Sequence, residues 1–118
     1  MFKNLLQEVV DGTEGAIGGV LMGFDGITVE TYMSEDSVSV ETVGMEYSVL
    51  LKQVQQAADM LEIGTAREVS VQAENMTTVM RLINEEYFIA ITLRPAGNQG
   101  KARFQLRVRA NQLLEALT

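Results

Sequence analysis

Ala16-Ile17-Gly18-Gly19-Val20-Leu21-Met22-Gly23-Phe24-Asp25-Gly26-Ile27-Thr28-Val29-Glu30-Thr31-Tyr32-Met33 reads as two strands around a turn. Ala16–Gly23 begins with small residues and ends on Val20, Leu21 and Met22, and Ile27–Met33 forms the second strand. Phe24-Asp25-Gly26 joins them. Asp-Gly between two apolar runs is a strong hairpin signal, because both residues tolerate positive φ.

Upstream, Phe2, Leu5, Leu6, Val9 and Val10 recur at helical spacing and predict a short helix over Met1–Asp11. The breaker cluster Asp11-Gly12-Thr13-Glu14-Gly15 ends it. Downstream, Ser34-Glu35-Asp36-Ser37 is a polar loop with helix-start residues, whose acids suit the positive end of the next helix. A long helix follows over Val38–Ile63, with Gly64 as its stop. Its core stripe is Val40, Val43, Tyr47, Leu50, Leu51, Val54, Ala58 and Leu61. Three strands come next, Glu68–Ala73, Met76–Ile83 and Tyr87–Leu93. The last is almost wholly apolar and so belongs at the centre of the sheet. The tail alternates like a strand at Ala102, Phe104, Leu106, Val108 and Ala110, yet Leu106, Ala110, Leu113 and Leu117 follow a helical stripe. Its length and Leu-rich end favour the helix. The order α-β-β-α-β-β-β-α gives an α+β fold, a five-stranded and mainly antiparallel sheet with helices on both faces. With 118 residues the expectation is one domain, residues 1–118.

Composition narrows function. The chain has no Cys and no His. That removes disulfides, thiolate nucleophiles, zinc sites of the usual kind and imidazole chemistry, so neither cofactor nor metal is expected. The net charge of −7 disfavours nucleic acid and anionic membranes as partners. No run approaches the roughly 20 apolar residues of a membrane span, and no cleavable signal is visible, so a cytoplasmic protein is expected. The charge is lopsided. Residues 1–62 carry eleven acids and two bases, and residues 63–118 five acids and seven bases. Such asymmetry suits self-association or a charged protein partner.

Candidate chemistry is sparse. Gly12-Thr13-Glu14-Gly15-Ala16-Ile17-Gly18-Gly19 follows a helix and enters a strand, the reverse of a dinucleotide fingerprint. A tight connection is the simpler reading, with Gly18 and Gly19 allowing close packing. Gly97-Asn98-Gln99-Gly100-Lys101-Ala102 lacks the spacing and hydroxyl of a phosphate loop. Asp25, Glu35 and Asp36 do not make a calcium loop and leave only a thin case for a small ligand-sensing domain. Lys101, Arg103, Arg107 and Arg109 form a basic tail segment, either a solvated face or a site for an acidic protein. The most informative feature is a second stripe on the long helix. Met45, Val49, Met60 and Ile63 fall opposite the core stripe, with Gln56 between them and Lys52 and Asp59 at the flanks. A helix that covers a sheet with one face should be polar on the other. This stripe points to packing against another copy or a partner.

The helix ending at Gly12-Thr13-Glu14-Gly15, the hairpin Phe24-Asp25-Gly26-Ile27, the long helix, the meander and the closing Gly100-Lys101-Ala102-Arg103-Phe104-Gln105-Leu106-Arg107 together resemble the Roadblock / dynein light-chain family, in its bacterial MglB-type branch. The resemblance covers nearly the whole chain. It implies a Roadblock, profilin-like fold and a homodimer whose long helices pair while one strand of each copy extends a shared sheet. It further implies a non-enzymatic partner of small Ras-like GTPases, either a stimulator of GTP hydrolysis or a scaffold. By the same resemblance the end of the long helix meets the GTPase, at Gln56, Ala57, Met60, Leu61 and Gly64. With Lys52 the only base on that helix, no arginine finger comes from it.

Overall fold

The computed structural model describes all 118 residues. Its elements are α1 (Phe2–Asp11), β1 (Ala16–Gly23), β2 (Thr28–Met33), α2 (Val40–Met60), β3 (Glu68–Gln72), β4 (Thr77–Leu82), β5 (Tyr87–Leu93) and α3 (Gln99–Leu117). The strands form one sheet in the order β2-β1-β5-β4-β3, with every pairing antiparallel. β5 is central, as its apolar run requires, and all eight residues of β1 are buried. The tail is helical from Gln99 onward.

Register sorts the side chains into two cores. Leu21 lies opposite Ile89 and Val79 opposite Ile91, and these four face α1 and α3. Leu5, Leu6, Val9 and Val10 come down from α1, and Ala102, Leu106 and Leu113 from α3. On the other face Val20 lies opposite Ala90 and Met22 opposite Phe88. Val40, Leu51 and Met80 complete that second core, with the Phe24 ring against Phe88 at 5.3 Å.

The glycines of the first connection have packing roles. Gly15 has φ 81°, and a Cβ there would lie 2.5 Å from the Gly97 Cα. The α1–β1 link therefore lies flat on the β5–α3 link, tied by the Arg94 amide donating to the Gly15 carbonyl and Asn98 to Glu14, both at 2.8 Å. At Gly18 a Cβ would meet the Val40 side chain and the Tyr32 carbonyl, and at Gly19 the Ile91 side chain. The stretch is a tight connection, as its residue order suggests.

Three sequence expectations need correction. Helix α2 starts at Val40 and not at Val38, capped by Ser39, whose hydroxyl accepts from the Thr42 amide at 3.3 Å, and only Glu41 is an acid in its first turn. Glu35 is not a helix-start charge. It pairs with Arg94 beyond the end of β5 and accepts from the Ser37 hydroxyl. The core stripe of α2 also shifts. Gly44 and Ser48 are buried where periodicity gave them no role, Val43, Tyr47, Leu50 and Val54 are half-buried, and Leu61 is 68% exposed. Gly44 lets the helix sit low, since a Cβ there would come within 3.1 Å of Met22 and Val20 atoms.

Two outcomes follow from these contacts. Gly15→Ala combines a left-handed backbone with a clash against backbone, so it should lower unfolding free energy by about 1–3 kcal/mol in urea titration. A loss near zero would contradict the close approach to Gly97. The Arg94 guanidinium, bonded to Glu35, holds that carboxyl below the usual carboxylate range, with the Ser37 hydroxyl bond adding to the effect. A lowered folded pKa stabilises above the unfolded value and loses its contribution as pH falls through the folded one. Glu35→Gln should therefore be less stable than the parent at neutral pH and converge with it in acid. An unchanged gap across that range would refute the pair.

Candidate functional site

Helix α2 buries Val40, Gly44, Ser48, Leu51 and Ala58 along one side. At about 100° per residue, Met45, Val49, Gln56 and Met60 fall within an arc of roughly 60° whose centre lies about 140° around the helix from the buried side. The structure places all four there, exposed, with Met45 at 53%, Val49 at 55% and Met60 at 85%. Ala57 is exposed next to them. Met45, Val49 and Met60 of the second stripe read from the sequence thus form an outward line of the folded helix, rather than a second core, whereas Ile63 lies beyond the helix, which ends at Met60 and not at Ile63.

The line ends in a distorted turn. The Ile63 amide donates to the Ala58 carbonyl at 3.2 Å and the Glu62 amide to Asp59 at 3.1 Å. This is a Schellman closure, in which one residue beyond the helix takes the left-handed conformation. That residue is Glu62, with φ 56°, and not the expected Gly64, which follows with φ 88° in open space. For a non-glycine residue that backbone costs roughly 1–2 kcal/mol. Closures of this kind commonly pack the following apolar residue back onto the helix. Here Ile63 stays 71% exposed beside Leu61. Leu61, Ile63 and Met60 thus form an apolar tip that the chain itself leaves uncovered.

The surroundings of α2 matter as much as its outer line. The helix lies across β1 and β2. On the same face of the sheet Val69, Val71 and Leu82 remain only partly buried. The strand β3 that carries Val69 and Val71 is an edge of the sheet, away from β1 and β2 on which α2 is seated. Between the later half of α2 and the β4–β5 turn runs an open groove of about 520 Å³, lined in part by Lys52, Gln55, Gln56 and Asp59. The Gln55 carbonyl accepts from the Ala66 amide at 3.0 Å and its amide donates to Asp59 at 2.9 Å, which fixes the segment leaving the helix.

The carboxylates do not converge into a catalytic or ligand site. Asp25 accepts from the Ile27 amide at 3.0 Å to shape the hairpin turn, and Glu35 is held by Arg94. Asp11 accepts from the Tyr32 hydroxyl at 2.9 Å, and that bond raises the phenol above its ordinary range. No group of three or more acidic side chains lies close enough to hold a metal ion. No helix is long and apolar enough to cross a membrane.

This geometry has counterparts among solved structures. The chain is 40% identical to MglC from Myxococcus xanthus, over 96% of both chains, with a TM-score of 0.69. It shares its fold with a Roadblock/LC7 domain from Streptomyces avermitilis at 15% identity, covering 98% of this chain and 96% of that one, with a TM-score of 0.86. The gliding protein MglB from Thermus thermophilus matches 95% of this chain with 84% of its own, at 16% identity and a TM-score of 0.83. No family model matches the sequence, and no curated protein is significantly similar to it. The five-stranded sheet, the helix order and the identity to MglC over nearly the full length together place the chain in the Roadblock/LC7 family, beside the MglC and MglB proteins.

Proposed function

We propose that this chain is a non-enzymatic homodimeric adaptor or regulator that binds a small Ras-like GTPase. Membership of the Roadblock/LC7 family supports a regulatory or adaptor role. The observation that carries the finer reading is the outward apolar line of α2 and its uncovered tip. Exposed apolar residues aligned on one helix and rimmed by polar ones mark a protein interface.

The line divides into two uses. Met45 and Val49 lie at the first half of α2, and Val69 and Val71 lie on the sheet face that α2 leaves open. A second copy covers these, with paired helices and neighbouring strand edges. Gln56, Ala57, Met60, Leu61 and Gly64 form the end of the helix and its exit, and they meet the GTPase. Methionine suits such a surface because its flexible thioether adapts to the partner. The last turn of α2 carries no base. Any stimulation of hydrolysis therefore comes from ordering the GTPase's own groups, not from an inserted guanidinium.

Titration of the purified chain against a Ras-like GTPase from the same cells, loaded with GDP or a non-hydrolysable GTP analogue, tests this. The expected result is binding that depends on the nucleotide. Met60→Arg, which alters a side chain already in water and leaves the fold intact, should raise Kd at least tenfold, about 1.4 kcal/mol. Equal binding by a well-folded Met60→Arg variant would remove the helix end from the interface. Absence of binding in both nucleotide states would leave a structural dimer.

A further inference from the structure

The outer face of α3 has features that a helix merely covering a sheet does not need. Ala102, Leu106 and Leu113 face inward. Phe104 and Val108 stand one turn apart on the opposite side, 50% and 53% exposed. The Arg107 guanidinium lies over the Phe104 ring at 5.6 Å, and Lys101 is exposed one turn earlier. Of the four bases on α3 only Arg109 has an ionic partner, Glu8 at 3.4 Å. The face is an apolar knob between two free cations on a chain whose net charge is −7.

A complementary surface exists on the same molecule. β2 is the edge strand at the far side of the sheet from β3, and its outer backbone has no pairing partner. Val29 and Met33 on it are 37% and 40% exposed. Met33 lines a shallow groove of about 310 Å³ together with Asp36 and Glu41. Natural edge strands are protected by charge or by cover. This one pairs exposed apolar side chains with acids, the inverse of the α3 face.

We propose that the Phe104–Val108 face of α3 docks on the β2 edge of a second copy, with Lys101 and Arg107 meeting Asp36 and Glu41. The two surfaces differ, so the contact is heterologous and propagates head to tail. It is separate from the α2 surface and does not depend on the GTPase reading. Because the charges are exposed, the association weakens as salt shortens the screening length.

Sedimentation of the full chain over a range of concentrations, in low and high salt, tests the proposal. Mass should grow with concentration in low salt and fall back in high salt. This step should persist in Val49→Glu, which separates it from association through α2. A Lys101→Glu/Arg107→Glu chain and an Asp36→Lys/Glu41→Lys chain should each associate at least tenfold more weakly alone, and should associate again when mixed. Mass independent of concentration and salt would overturn the proposal. So would failure of the two folded charge-reversed chains to associate when mixed.

Discussion

The sheet has apolar side chains on both faces of its central strands, and that constraint organises everything else. Five strands spaced about 4.8 Å apart make a sheet roughly 20 Å wide. Packed helices lie about 8–10 Å from one another, so two helices cover such a sheet and one covers about half. The face carrying α1 and α3 has its two helices. The other face has α2 alone, seated over β1 and β2, with Gly44 and Met22 in close approach. Val69, Val71 and Leu82 are left half-covered because the chain has no further helix to place there.

The apolar outer line of α2 acquires its meaning from that shortage. A helix seated beside uncovered sheet, and itself apolar on its outer side, suits a symmetric arrangement in which a second α2 occupies the missing place. The far end of the same helix leads into Met60, Leu61 and Ile63, all exposed, around the left-handed turn at Glu62. Met45 and Val49 on the helix and the tip at its end are thus two separate apolar stretches that the chain itself leaves uncovered.

Much of this was legible in the sequence, for identifiable reasons. The hairpin was marked by Asp25-Gly26, the centre of the sheet by the unbroken apolar run of Tyr87–Leu93, and the outward stripe by methionines at helical spacing. All are local signals. What was missed depended on distance in space. Glu35 looked like a helix-start charge, because its partner Arg94 lies 59 positions away. Gly64 looked like the helix stop, because glycine is the usual left-handed residue, yet the closure falls two residues earlier at Glu62. Gly44 and Ser48 escaped notice because burial at close helix–sheet approach selects small residues, which carry no hydrophobic signal.

The claim that a second copy completes the open sheet face is tested most directly by sedimentation equilibrium of the full chain in high salt, beside Val49→Glu. The account predicts a single species near twice 13.0 kDa for the parent. It predicts a folded species at the single-chain mass for the variant. A parent chain that stays at the single-chain mass across the micromolar range would contradict it, as would a Val49→Glu chain that remains fully dimeric.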